Sequence, residues 1–193
     1  MSTDMQIALV GVIGTLAGTI LGWLLNNISQ SGKLNAYVFS FTDKFEYNDM
    51  GFMVASSSIA ETQLYSYKLI LDLYNSSGAT KIMRNITVIF SDGKKDLHKS
   101  IPHDDSTRRS SGPAWFYDEV GPINIPPKSI IQLNLHRGAW RSEGGLDFIW
   151  NTKKVYLSYT DEKNKRRKVK IKTEDYSKYF ENHSRRMLRN EQT

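Results

Sequence analysis

Residues 63–75 read "QLYSYKLILDLYN", and the alternation within them decides the fold. Leu64, Ser66 and Lys68 fall on one side, and Tyr65, Tyr67, Leu69, Leu71 and Leu73 on the other. Successive side chains of an extended chain point to opposite faces, so this is a strand with one buried face. It closes in the turn cluster "NSSG".

Similar signals lie on either side of it. "NAYVFSF" (35–41) places Tyr37, Phe39 and Phe41 on one face. "KIMRNITVIF" (81–90) is β-branched and runs into the turn "SDGKK". "SIIQLNLH" (129–136) follows a Pro-Pro pair, and "FIWNTKKVYLSYT" (148–160) and "RKVKIKT" (167–173) flank "DEKNKR", a hairpin turn. Residues 123–127 cannot form a central strand, because proline lacks the amide donor. "HDDSTRRSSGPAWFYDE" (103–119) reads as a long polar loop with an aromatic end. Short strands, turn residues and no amphipathic helix between them predict a mainly β domain. Its expected form is an antiparallel β-sandwich of immunoglobulin-like type or a small β-barrel.

Ahead of this domain, residues 7–25 contain no charged side chain. Roughly twenty helical residues at about 1.5 Å each cross a hydrocarbon core of about 30 Å. A cleaved signal would start with basic residues, whereas "MSTDMQ" has none. The segment is therefore expected to be a single uncleaved transmembrane helix. Nothing basic precedes it, while Lys33 and Lys44 follow. That asymmetry places the N-terminus outside and the β domain on the cytoplasmic side of the cell (inner or plasma) membrane. The expected organisation is an anchor over 1–30, a β domain over 31–174 and a basic C-terminal helix or tail over 175–193.

Glycine recurs within the anchor in "GTLAGTILGWLL" (14–25). Gly14, Gly18 and Gly22 share one helix face, with Gly11 close to their line. Lipid gives helices no hydrophobic reason to associate, so close backbone approach along a small-residue ridge has to supply the attraction. Homo-oligomerisation through this face is the expectation. Glycine is also simply common in membrane helices.

Charge is uneven along the 193 residues. Residues 163–189 hold eleven Lys/Arg against three Asp/Glu, so the remainder carries about −2 of the net +6. The basic run "KNKRRKVKIK" (163–172) includes Lys165, Arg166, Arg167, Lys168, Lys170 and Lys172, and Arg185 and Arg186 extend it. As a strand it would show Lys168, Lys170 and Lys172 along one face, with Val169 and Ile171 turned to the core. Such a row suits an anionic lipid surface or small anionic ligand, and less well a nucleic acid. It equally suits an edge strand guarded by lysines against aggregation.

Motifs for catalysis are sparse. The chain has no cysteine, so thiol nucleophiles, cysteine–zinc sites and iron–sulfur centres are excluded. It has no GxxxxGK[ST], GxGxxG, GxSxG or HExxH motif. His103, Asp104 and Asp105 form the one cluster of metal-ligand types, but neighbours on an extended chain diverge, so no metal or cofactor is expected. A ligand pocket is more plausible where arginine meets aromatic rings: Arg137, Trp140 and Arg141 in "RGAWRSE", with Trp115 and Tyr117 beside the polar loop. The overall expectation is a non-enzymatic, membrane-anchored binding module, with a protein partner or a nucleotide-like ligand. In outline, a hydrophobic N-terminus feeding a cytosolic β domain resembles the membrane effectors of bacterial antiphage signalling. That resemblance implies a nucleotide-sensing β domain and membrane segments that assemble, although such effectors bring more than one membrane helix.

Overall fold

In the computed structural model, residues 2–181 are described. The charge-free segment forms one long helix, α1 (Thr3–Gln30), with no residue buried against the domain. It is long and apolar enough to cross a bilayer. Thr15 and Thr19 return their hydroxyls to the carbonyls of Gly11 and Thr15, each at 2.9 Å, which satisfies them inside an apolar helix.

Two antiparallel sheets follow. The first is built from β1 (Leu34–Asp49), β2 (Phe52–Ala55), β3 (Leu64–Asn75), β6 (His103–Asp104) and β10 (Ile130–Trp140), in the order β2-β1-β3-β10-β6. The second has the order β12-β11-β4-β5, from β4 (Lys81–Ser91), β5 (Asp96–Ser100), β11 (Lys154–Thr160) and β12 (Arg166–Thr173). A short β9 (Ile123–Ile125) pairs with the start of β4, and β7 (Arg109–Ser111) and β8 (Ala114–Phe116) form a separate hairpin. Among the described residues no backbone ladder joins the two main sheets, so the domain is a sandwich and not a barrel. Setting β2 aside, the strand order is that of an immunoglobulin-type sandwich.

The core sits between the sheets. Tyr65, Tyr67, Leu69, Leu71 and Leu73 of β3 all face inward and are buried, as the alternation predicted. They meet Met83, Ile86, Val88 and Phe90 of β4 and Val155, Leu157 and Tyr159 of β11. Immunoglobulin domains often link these central strands by a disulfide. Here Leu69, Leu71, Val155 and Leu157, each fully buried, hold the sheets by packing alone.

Two bulges correct the sequence reading. In β1 the pairing with β3 slips between Val38 and Ser40, leaving Phe39 as the extra residue. Ala36 and Val38 pack inward before the slip, and Phe41 and Phe45 after it. Tyr37, Phe39 and Phe41 therefore do not share a face: the first two are exposed. In β12 the slip falls at Ile171, so Lys172 lies opposite buried Val155 while Lys170 lies opposite Tyr156. Lys172 thus leaves the row with Lys168 and Lys170. Its ammonium reaches the Asp43 carboxylate at 3.0 Å and also pairs with Glu174. The Tyr176 hydroxyl donates to the same Asp43 carboxylate. A bulge re-aims one side chain, and two of them bring these residues together across one side of the sandwich.

The stretch 148–160 is also not one strand. Asp147–Trp150 form a helical turn, α2, closed by Thr152 and Asn151 bonding back to the carbonyls of Phe148 and Asp147, and β11 starts at Lys154. After β12 a 3₁₀ turn (Tyr176–Lys178) leads into helix at residues 179–181, with the Tyr179 ring tilted against Phe45 and the Phe180 ring edge-on to it. The rest of the expected basic helix or tail, with Arg185 and Arg186, lies outside the described residues.

The same substitution separates the two lysine environments. Lys172→Met strands a nearly buried Asp43 and is expected to cost about 2 kcal/mol or more. Lys170→Met, on the exposed face, should stay within about 0.5 kcal/mol. Urea unfolding followed by tryptophan fluorescence measures both, and equal effects would contradict the inward placement.

Candidate functional site: a cleft at the end away from the helix

β3 runs from Tyr65 to Asn75 toward the foot of α1, and β10 runs back from Ile130 to Trp140. About ten strand residues, roughly 33 Å, separate the foot from the far end. There, on the side where β5 and β6 are short, a cleft of ≈ 450 Å³ is lined by residues of both sheets. That volume lies within the range of small-molecule sites.

The floor is aromatic. Tyr67 and Phe90 lie 6.0 Å apart between centroids, Phe148 meets Phe90 edge-on at 5.3 Å, and His98 stacks on Phe148 at 4.1 Å. The Tyr67 hydroxyl is hydrogen-bonded to Ser100 Oγ at 3.1 Å, and burial pushes its pKa upward, so the phenol stays protonated. Trp140, Glu143, Gly144 and Gly145 border the cleft on the β10 side, and Lys99 borders it on the β5 side.

Arg137 stands at its rim. Its Nη1 donates to Ile101 O at 3.2 Å and Glu119 Oε1 at 3.1 Å, and lies 2.8 Å from His103 Nε2. A guanidinium has no acceptor, so His103 Nε2 must accept, which places the proton of neutral His103 on Nδ1. Burial, then the Arg137 and His136 charges, holds the His103 pKa below its ordinary value. Burial and Arg137 lower that of His98 in the same way. Behind the rim, His136 bonds to Asp105 through Nδ1, Asp105 pairs with Lys68 at 3.2 Å, and the Tyr117 ring meets His136 edge-on at 4.4 Å.

The structure thus gathers only some of the sequence-selected residues. Arg137 and Trp140 line the cleft together. Tyr117 packs on the histidines behind it. Arg141 turns to the Ile59 carbonyl, and Trp115 sits on the β7–β8 hairpin with Arg108 3.9 Å from its ring centroid. His103, Asp104 and Asp105 diverge: Asp104 accepts from Ser106 N, Asp105 serves His136, and His103 serves Arg137. Among the described residues no group of three such side chains converges to hold a metal.

In the basic run, Arg167 pairs with Asp161 at 2.8 Å, Lys168 with Asp96 at 3.0 Å, and Arg166 donates to Ser158 Oγ. β12 is a sheet edge, the position that the lysine-guard reading anticipated. Sequence reasoning missed Tyr67, Phe90, His98 and Phe148 as cleft residues. Their inward alternation was visible, but their meeting with β5 and the α2 turn around a cleft was not.

A family model described as the YopI Ig-like domain matches residues 32–172. No curated protein matches the chain. Among solved structures, the Bordetella pertussis protein described as ApaA is similar at 13% identity over 73% of this chain and 89% of that one, with TM-score 0.35. An Archaeoglobus fulgidus protein is similar at 10% identity over 72% and 98%, with TM-score 0.35. An uncharacterized β-sandwich protein of Clostridium difficile is similar at 13% identity over 72% and 86%, with TM-score 0.32.

The lowered His103 pKa fixes a pH dependence. The unfolded chain takes up this proton at about pH 6.5, before the folded one does. Its contribution to stability is therefore complete above about pH 6.5 and is lost as pH falls below it. His103→Gln keeps an acceptor for Arg137 and does not titrate. Urea midpoints measured between about pH 7.5 and 5.5 should fall less steeply in this variant than in the parent. Identical slopes would contradict the assignment.

Proposed function

We propose that this chain, which belongs to the YopI Ig-like domain family, works as a non-enzymatic binding module held at the membrane by α1. The observation that carries the reading is the cleft at the end of the sandwich opposite α1. Its aromatic floor, with Arg137 and Lys99 beside Glu119 and Glu143 at the rim, suits a small ligand that pairs an aromatic or apolar body with polar groups. Arg137, paired with Glu119 at 3.1 Å, and Lys99, paired with Asp96 at 3.6 Å, meet an anionic group by exchanging these partners, and Trp140 supplies a ring edge or face. The sandwich lies on the cytoplasmic side in this reading, because only the flank after α1 is basic.

Self-association is the second part of the proposal. A Cβ at Gly11, Gly14, Gly18 or Gly22 would meet nothing within 4 Å, so this face leaves room for a second helix to approach. A nucleotide-sensing effector whose helices assemble on ligand binding is the alternative. It draws support from the same cleft and from the tight join between helix and sandwich. There, Gly78 N donates to Ser29 O at 2.8 Å, and Lys33 N donates to Ser76 Oγ at 2.9 Å.

Titrating the detergent-solubilised chain with mono- and cyclic nucleotides, read by tryptophan fluorescence, tests the cleft. Saturable binding weakened about tenfold by Trp140→Ala is expected, and no binding by the parent would remove the nucleotide reading. Gly18→Leu should shift crosslinked chains toward monomer. An unchanged crosslinking pattern would remove the glycine interface. In cells, growth arrest relieved by Gly18→Leu would favour the effector over the passive module.

A further inference from the structure

A second cavity, of ≈ 340 Å³, lies at the other end, where α1 enters the sandwich. One wall is the link from Ser31 to Leu34, and the other is the base of β4 with the β11–β12 turn. Four cations line it: Lys33, Lys81, Lys163 and Arg167. Two of these are neutralised, since Lys81 pairs with Glu162 at 2.6 Å and Arg167 with Asp161 at 2.8 Å. Asp161 also accepts from the backbone amides of Lys163 and Lys165, at 3.0 and 2.8 Å, which shape the turn; against the opposing effect of burial, the Lys165 amide, then Arg167, then the Lys163 amide hold its carboxyl below the usual range. Among the described residues, Lys33 and Lys163 have no ion-pair partner. The cavity therefore carries an unbalanced positive charge of two.

Its height matters as much as its charge. Nineteen uncharged residues, 7–25, span about 28 Å, close to the hydrocarbon thickness. The five residues 26–30 add about 7 Å, the depth of one headgroup layer. With α1 as the anchor, the cavity then stands at the level of the headgroups on the sandwich's side of the bilayer. We propose that this cavity seats the phosphate-bearing headgroup of an anionic lipid, with Lys33 and Lys163 as the charge partners of the phosphodiester. A zwitterionic headgroup would bring its own cation into the same cavity and is disfavoured. The proposal rests on α1 being the membrane anchor.

Native mass spectrometry of the full chain in neutral detergent tests it, with dioleoylphosphatidylglycerol, dioleoylphosphatidylcholine and inorganic phosphate offered separately. The expected result is about one phosphatidylglycerol per chain, retained roughly tenfold better than phosphatidylcholine. Lys33→Glu/Lys163→Glu should abolish the preference, and the milder Lys33→Gln/Lys163→Gln should reduce it if the charge reversal impairs folding. Lys94→Glu/Lys95→Glu, the same charge change in the turn at the far end, should leave it intact. Equal retention of the two lipids, or preference surviving in the foot variants, overturns the proposal. Inorganic phosphate binding as well as the lipid also overturns it, since the site would then serve a soluble anion. Alkaline carbonate washing of membranes tests the anchor separately. A chain that stays in the membrane yet shows no lipid preference refutes the headgroup site alone, whereas release into the wash refutes the anchor beneath it.

Discussion

Gly32 leaves no room for a side chain, and the polarity of the molecule depends on that. A Cβ at this position would sit 2.4 Å from the Ser76 backbone, and one at Gly78 would sit 2.9 Å from Ser29 O. Lys33 and Ser76 exchange backbone and hydroxyl hydrogen bonds across the same contact, and Lys128 Nζ caps the Ser76 carbonyl at 2.6 Å. The end of the helix is thereby locked to the β3–β4 turn, and the β strands extend away from that point. Whatever surrounds α1 must therefore lie at the base of the sandwich, and the ligand-sized cleft must lie at its far end.

The sandwich manages its two open sides differently. On the β1–β12 side, bulges at Phe39 and Ile171 turn Asp43 and Lys172 inward, and Tyr176 joins them. Phe45, Tyr179 and Phe180 stack over the same seam, closing it without a shared ladder or a disulfide. On the β5–β6 side the edge strands are short, and the cleft lies there over an aromatic floor. Rings that would otherwise be ordinary core, Tyr67, Phe90 and Phe148, become the lining of a site. Neutral His103 and cationic Arg137 hold each other at its rim.

The strong strand of residues 63–75 was legible because a period of two with one apolar face has few other interpretations, and α1 was legible because its charge-free length has few as well. The antiparallel β class and the β11–β12 hairpin followed from turn chemistry, whereas sandwich and barrel stayed equally open, because the choice depends on which strands pair across the sheets. The bulges were not legible: they depend on which residue of a partner strand lies opposite, and no local signal at Phe39 or Ile171 announces a slip. For that reason Lys172 was grouped with Lys168 and Lys170, and Phe41 with Tyr37. Arg137 and Trp140 were found through the arginine–aromatic pattern of one segment. The cleft's other walls come from β3, β4 and β5, distant in sequence, and the foot cavity joins Lys33 to Lys163 over an even longer separation.

Because the chain has no cysteine of its own, single cysteines can report directly on which end of the sandwich meets the lipid. A fluorophore at position 128, at the foot, and another at position 143, by the cleft, should respond differently to a quencher attached to lipid headgroups in reconstituted vesicles. Strong quenching at 128 with little at 143 is the expected result. Equal quenching at both positions, or stronger quenching at 143, would contradict an upright sandwich standing on the bilayer with its cleft turned away.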